Sequence, residues 1–189
     1  MLLLDMIEIM SNLIFNYLRP KAAASKFFEK GETLFHRGDA IHMLFLVAEG
    51  YVHLMRFQAD GNGAVLQRAG PMTVLAEASV FSDQYHCDAV AMMAGRVLLV
   101  PMMTVRQLLE REPVFARGWM SHVSGELQKV RTRAEILALR SVGARLDAWT
   151  AFNDGQLSPK GQWKSLAEEI GVSPEALYRE LAKRSASSI

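Results

Sequence analysis

The chain has 189 residues, half of them apolar, with 21 Lys and Arg against 20 Asp and Glu. That near-neutral balance excludes a global electrostatic pull toward nucleic acid or membrane, and the length suffices for one large domain or two small ones. Cys87 is the sole cysteine, which excludes a disulfide framework, a four-cysteine zinc site and an iron–sulfur cluster held within one chain, and points to a reducing cytoplasm.

Residues 1–18 are apolar enough to imitate a secretory leader, but no basic stretch opens them, and Asp5 and Glu8 interrupt the apolar run. Ile7, Met10, Ile14 and Tyr17 recur at helical spacing, which predicts, within residues 1–24, an amphipathic helix that packs on the main body. It is too short and too charged to span a bilayer.

From Ser25 to Pro101 short apolar runs alternate with turn residues. Thr33–His36, His42–Ala48, Tyr51–Gln58, Ala64–Arg68, His86–Met92 and Arg96–Pro101 read as strands, punctuated by Lys30-Gly31, Arg37-Gly38-Asp39, Glu49-Gly50, Asp60-Gly61-Asn62-Gly63, Ala69-Gly70-Pro71, Ser82-Asp83 and Ala94-Gly95. Strands spaced so evenly predict a sandwich, a barrel or a double-sheet roll. Asp60-Gly61-Asn62-Gly63 carries the strongest hairpin signal, because Gly and Asn accept the positive φ of a tight turn. A short helix is expected over Thr104–Glu110.

A long helix follows, from Val114 to Ser141, with Pro113 suited to its first position. Ala116, Met120, Val123, Leu127, Val130, Ala134, Leu137 and Ser141 alternate steps of four and three, the seam of a coiled coil. A stripe this narrow calls for a second copy, so a homodimer through this helix is expected. His122, Ser124, Glu126, Gln128, Lys129, Arg131, Arg133 and Glu135 lie between the stripe positions and are expected to face water.

The terminal segment begins at Ser141-Val142-Gly143-Ala144-Arg145-Leu146, with a helix to about Phe152, a turn at Asn153-Asp154-Gly155 and a loop over Leu157–Gly161. Gln162–Leu181 then has helix-turn-helix spacing. Ala167 is the small residue at the helix crossing, Gly171 makes the turn, and Val172 and Leu177 close the core. Ser173 caps a second helix that starts at Pro174 and runs to about Ser185.

Phe28-Glu29-Lys30-Gly31-Glu32, Phe35-His36-Arg37-Gly38-Asp39 and Leu44-Phe45-Leu46-Val47-Ala48-Glu49-Gly50-Tyr51-Val52 resemble the cyclic-nucleotide-binding β-roll. In order, with the long helix and the terminal helix-turn-helix, they resemble the catabolite activator/FNR family of bacterial transcription regulators. The resemblance implies an α+β chain: an N-terminal helix (1–24), a double-sheet β-roll (25–111), a dimerisation helix (112–140) and a helix-turn-helix DNA-binding domain (141–189). Family members continue into a two-stranded wing, which this chain is expected to lack.

The resemblance places the effector pocket at Leu75, Glu77, Ala78, Cys87 and Asp88, with Val130 and Arg131 reaching it from the long helix. Nucleotide-binding members carry Gly-Glu, whose glutamate accepts from the ribose hydroxyl, and later Arg-Ser-Ala, whose arginine neutralises the phosphate. Here Ala76 replaces the glycine, Glu77 is kept, and Cys87-Asp88-Ala89 stands for Arg-Ser-Ala. Cys87 offers neither charge nor strong donors and Asp88 repels phosphate, so cyclic AMP is not the expected effector. Arg68, Arg96 or a residue from the partner helix are candidates for compensating cations, and both the effector's identity and whether there is one stay open.

Haem is a second cofactor to weigh, since His86-Cys87 supplies both axial-ligand chemistries. Neighbouring strand residues point to opposite faces, which argues against one iron. Nor is there His-x-His or a Ser/His/Asp set, so neither a metal enzyme of the cupin type nor a hydrolase is expected. The eleven methionines read as core filling.

For DNA, the resemblance points to Lys164, Ser173, Pro174, Glu175, Tyr178 and Arg179. Family members present Arg-Glu-Thr at the start of the recognition helix, then an arginine. Glu175 and Arg179 match the glutamate and the later arginine, and these groups read cytosine and guanine. The bland alternative has Glu175 capping the helix and Arg179 solvated. The expected function is therefore a dimeric regulator binding near-palindromic double-stranded DNA, with RNA polymerase as a further partner the family brings. The alternative is a roll-containing interaction module whose reduced terminal domain no longer binds DNA.

Overall fold

The computed structural model describes residues 13–57, 63–153 and 155–187. Ile7, Met10, the turn residues Asp60-Gly61-Asn62, Gln58 and Asp154 lie outside the described residues. Residues 13–18 form a helix, α1, whose Ile14, Phe15 and Leu18 are buried in the roll core, as expected of the N-terminal helix.

Six strands follow: β1 (Ala24–Phe28), β2 (Thr33–Phe35), β3 (Met43–Phe57), β4 (Gly63–Ala69), β5 (Thr73–Leu75) and β6 (Asp88–Pro101). Every pairing is antiparallel, in the order β1-β6-β3-β4, with β2 also on β6 and β5 also on β3. The long strands β3 and β6 belong to both sheets of the roll. The first half of β3 pairs with β5 and with the second half of β6, which carries β1. The second half of β3 pairs with β4 and with the first half of β6, which carries β2. Four strand segments on either side of one bend make the double-sheet roll.

The bend corrects the expected strand list. Glu49-Gly50 and Ala94-Gly95 were expected as turns between separate strands, yet the backbone runs through both. Register shifts between Val47 and Val52 mark a bulged region in β3, with Gly50 at φ +82°. Such bulges sharpen twist and redirect a strand without ending it. The first half of β3 is apolar and buried through Leu44, Phe45, Leu46 and Val47, whereas the second half alternates buried Val52 and Leu54 with more exposed neighbours. The short β1 and β5 escape periodicity because they are edge segments of few residues. His86 and Cys87 precede β6 rather than opening it.

Helix α2 (Met102–Arg111) leads into α3 (Pro113–Ala138). Phe115 and Trp119 recur on one face of α3 and are buried in the roll core. His122 continues that face at 2% exposure, with its ring 6.0 Å from Trp119, and so does not face water as expected. The i, i+4, i+7 face of Phe115, Trp119 and His122 lies beside the seam positions and buries within the chain. Ser141 is not in the helix: its hydroxyl accepts from the Ala144 amide at 3.1 Å and caps the next one.

Contacts divide the chain into two compact units, Met1–Ser124 and Gly125–Ile189, with the boundary inside α3. Beyond α3, the second unit holds α4 (Val142–Phe152), α5 (Trp163–Glu169) and α6 (Pro174–Ser187) around Ile136, Leu146, Trp149, Leu166, Ala167, Ile170, Leu177 and Leu181. Among the described residues no strand follows β6.

Candidate functional site

The pair α5–α6 is built by four local choices. Ala167 is fully buried, which lets two helices approach closely. Gly171 turns the chain at φ +67°, a conformation that costs a side-chain-bearing residue about 1–2 kcal/mol. The Val172 amide then bonds back to the Ala167 carbonyl at 2.9 Å. Ser173 caps α6 by accepting from the Ala176 amide at 3.2 Å, and Pro174 takes the first helical position, where its missing N–H costs nothing.

With Leu177 and Leu181 facing the core, α6 turns Glu175, Tyr178 and Arg179 outward, and Lys164 of α5 is exposed as well. Tyr178 rests near Trp163, ring centroids 5.8 Å apart, so its hydroxyl is carried on a packed support. Glu175 is also engaged locally. A hydrogen bond from its own amide, one with Ser173 and the Arg179 charge hold its carboxyl below the usual range. This carboxylate contributes to helix stability above its unfolded pKa, and the contribution is lost as pH falls through the folded value. A capping role for Glu175 is thus present beside any reading of bases.

In the roll, Val74 and Leu75 end β5 and Ala76 leads into a short turn. Ala76 sits at φ +61°, the left-handed conformation that only glycine adopts without strain, and a 3-10 turn follows at Glu77–Ser79. Leu75 and Ala76 are buried, Ala78 is exposed, and Glu77 takes a long hydrogen bond of 3.4 Å from the Gln67 amide. Arg106 of α2 ties down the end of this turn, donating to the carbonyls of Val80 at 2.7 Å and Ser82 at 2.9 Å.

Cys87 is 1% exposed, and burial pushes its thiol up to about 11 against the lowering pull of Arg56. It is therefore a neutral thiol at physiological pH. Asp88 accepts from the Arg37 amide at 3.2 Å and lies 3.2 Å from His36 Nδ1, tying the end of β2 to the start of β6. Of the expected compensating cations, Arg96 instead pairs with Glu49 at 2.6 Å and lies over the Phe27 ring.

The cation beside Cys87 is Arg56, which donates to the His86 carbonyl at 3.1 Å. Its sequence position gave no signal, because the contact depends on how β3 passes the segment before β6. His86 is exposed, with Nδ1 3.1 Å from the Ser79 hydroxyl, whereas Cys87 is buried, so the two face opposite ways. Desolvation and the Arg56 charge hold His86 below its ordinary pKa, which leaves it uncharged near neutrality. The roll thus brings Glu77, Asp88 and Arg56 within electrostatic reach of Cys87. Val130 and Arg131 belong to the other unit and are exposed on α3.

Several seam residues are exposed, while Val123 packs against the roll core. Met120 is 60% exposed, Leu127 48% and Val130 57%, with Ala134 and Leu137 also exposed and Val123 half-buried. Large side chains repeating at this spacing are ordinarily covered.

Residues 25–112 match the protein family described as the cyclic nucleotide-binding domain. The chain is 27% identical over 169 residues to a Global nitrogen regulator of Synechococcus elongatus, covering 82% of this chain and 75% of that one. A probable transcriptional regulator, flp, of Lacticaseibacillus casei is 24% identical over 161 residues, covering 82% and 73%. Among solved structures, FixK2 from Bradyrhizobium japonicum matches with a TM-score of 0.69 at 16% identity, over 88% of this chain and 86% of that one. The c-di-GMP-responsive regulator CLP of Xanthomonas campestris matches at 0.66 and 18% identity, over 93% and 92%. These two structures speak to the fold, and the names of the curated relatives are those of regulators, not enzymes.

Proposed function

We propose that this chain, whose residues 25–112 match the cyclic nucleotide-binding domain and whose curated relatives are named as regulators, is a catabolite activator/FNR-type protein that regulates transcription as a homodimer on near-palindromic DNA. The observation that carries this reading is α6, capped by Ser173 and anchored by Leu177 and Leu181, with Tyr178 and Arg179 turned outward. Helices so presented enter the major groove, and two in a dimer reach half-sites about 34 Å apart. Arg179 would fork onto guanine, with Lys164 and the N-terminal end of α6 on the backbone.

The test is genome-wide binding followed by titration of the recovered duplex. Arg179→Ala is expected to weaken specific binding by about 1–3 kcal/mol while non-specific binding changes little. The competing reading, an interaction module without DNA affinity, draws on the charge balance of residues 141–189, where six basic side chains meet six acidic ones. An absence of sequence enrichment, with indifference to Arg179→Ala, would establish it in place of the first.

The roll is not expected to take cyclic AMP as its effector. A cyclic phosphate placed at Cys87 meets a neutral thiol and the Asp88 carboxylate, and the one neighbouring guanidinium, Arg56, is already bonded to the His86 carbonyl. Calorimetry with cyclic AMP should show no specific heat. Saturable micromolar binding would overturn this reading and make Arg56 the first residue to test as its clamp.

A further inference from the structure

The joint between α3 and the helix-turn-helix lies wholly within the second unit, and one side chain dominates it. Arg145, in the first turns of α4, donates through Nε to the Leu139 carbonyl at 2.8 Å and through Nη2 to the Leu137 carbonyl at 3.0 Å. Through Nη1 it donates to the carbonyls of Ile170 at 3.1 Å and Gly171 at 2.8 Å. Two of these acceptors close the end of α3, and two belong to the turn between α5 and α6.

The carbonyls at a helix C-terminus have no partner of their own within the helix, and a planar guanidinium can serve several of them at fixed angles. The base of the side chain is held too, since Ser141 caps α4 one turn earlier. The turn also sits close against α3: a Cβ on Gly171 would fall 2.6 Å from Leu137 Cδ2 and 3.3 Å from Arg145 Nη1. At its far end α6 has a separate attachment. Arg184 bonds Glu180 at 2.9 Å, Asp147 at 2.6 Å and the Gly143 carbonyl at 3.0 Å.

We infer that Arg145 is a positioning residue that fixes the α5–α6 turn to the end of α3, and so sets the angle at which the recognition helix is presented from the long helix. Arg184 holds α6 to α4 through Asp147 and the Gly143 carbonyl. Loss of Arg145 therefore removes the polar tie between α3 and the turn and leaves Ile136 in the core with Leu166, Ile170 and Leu177 as a pivot about which α3 can rock. The consequence for DNA rests on the function proposed above; the mechanical part does not.

The experiment uses the full chain with spin labels at Gln128→Cys on α3 and Ala182→Cys on α6, in a Cys87→Ala background, diluted with unlabelled protein. The distance distribution should be narrow with Arg145 and broad with either Arg145→Ala or Arg145→Lys. Lysine keeps the charge but cannot serve both pairs of carbonyls at once. Affinity for the specific duplex should fall about tenfold in both variants, equivalent to about 1.4 kcal/mol.

An unchanged distribution in Arg145→Ala would overturn the inference. Recovery of narrow distances and full affinity by Arg145→Lys would also overturn it, by showing that charge alone suffices. Should Arg145→Ala unfold the terminal helices, the Lys variant decides by the same two readings. If the parent protein binds no DNA, the proposed function fails while the distance measurement still judges the joint.

Discussion

Replacing Leu127 and Val130 together by glutamate is expected to convert the protein from a dimer to a monomer, with a solution mass of 21.1 kDa instead of twice that value. Both side chains are about half exposed in the isolated chain, so the substitutions remove little from the chain's own core. At a seam their carboxylates would face those of the second copy in an apolar strip. Burying such charges without partners costs several kcal/mol, more than a seam of this length gains. Sedimentation equilibrium or light scattering reads the result directly. Gln128→Glu, beside the stripe, should leave the dimer intact. A double variant that remained at twice the chain mass would remove the seam from the proposed assembly.

Gly95→Ala should destabilise the roll by about 3 kcal/mol, the upper part of the range for overpacking. The added Cβ would fall 2.1 Å from the Glu49 carbonyl oxygen and 2.7 Å from Gly50 Cα. These are backbone atoms of the facing strand, which cannot rotate away as a side chain would. The bend of the roll therefore depends on two glycines opposed across β3 and β6, since a Cβ on Gly50 would likewise fall 2.5 Å from the Ala94 carbonyl oxygen. Urea unfolding should show a lower midpoint with an unchanged slope. Gly161→Ala, which meets nothing within 4 Å, should stay within about 0.5 kcal/mol. Equal effects at the two positions would mean that the strands part easily at the bend.

Much of the architecture is legible along the chain because it rests on local chemistry. Glycine and asparagine punctuation marks the strand region, Pro113 the start of α3, and Ser173-Pro174 the start of α6. The misreadings arise where one local signal serves two structures. Gly50 and Gly95 look like turn residues, and only strand pairing shows that they are a bend inside continuous strands. Ser141 fits the seam's spacing but is drawn off the helix by its capping bond to Ala144. His122 falls between seam positions, and the Phe115–Trp119 face buries it.

By itself the sequence determined the order of a strand-rich region, a long helix and a short helical segment, while the reading of Cys87 and Asp88 as a replaced phosphate pattern rests on the resemblance. Those features are carried by residue type at short spacing, which periodicity, turn chemistry and motif order expose. Only the tertiary structure decided that Asp88 ties β2 to β6, that Arg56 is the cation beside Cys87, and that Arg145 joins α3 to the α5–α6 turn. A long charged side chain can reach any of many acceptors, and which one it meets depends on how distant segments pass each other in space.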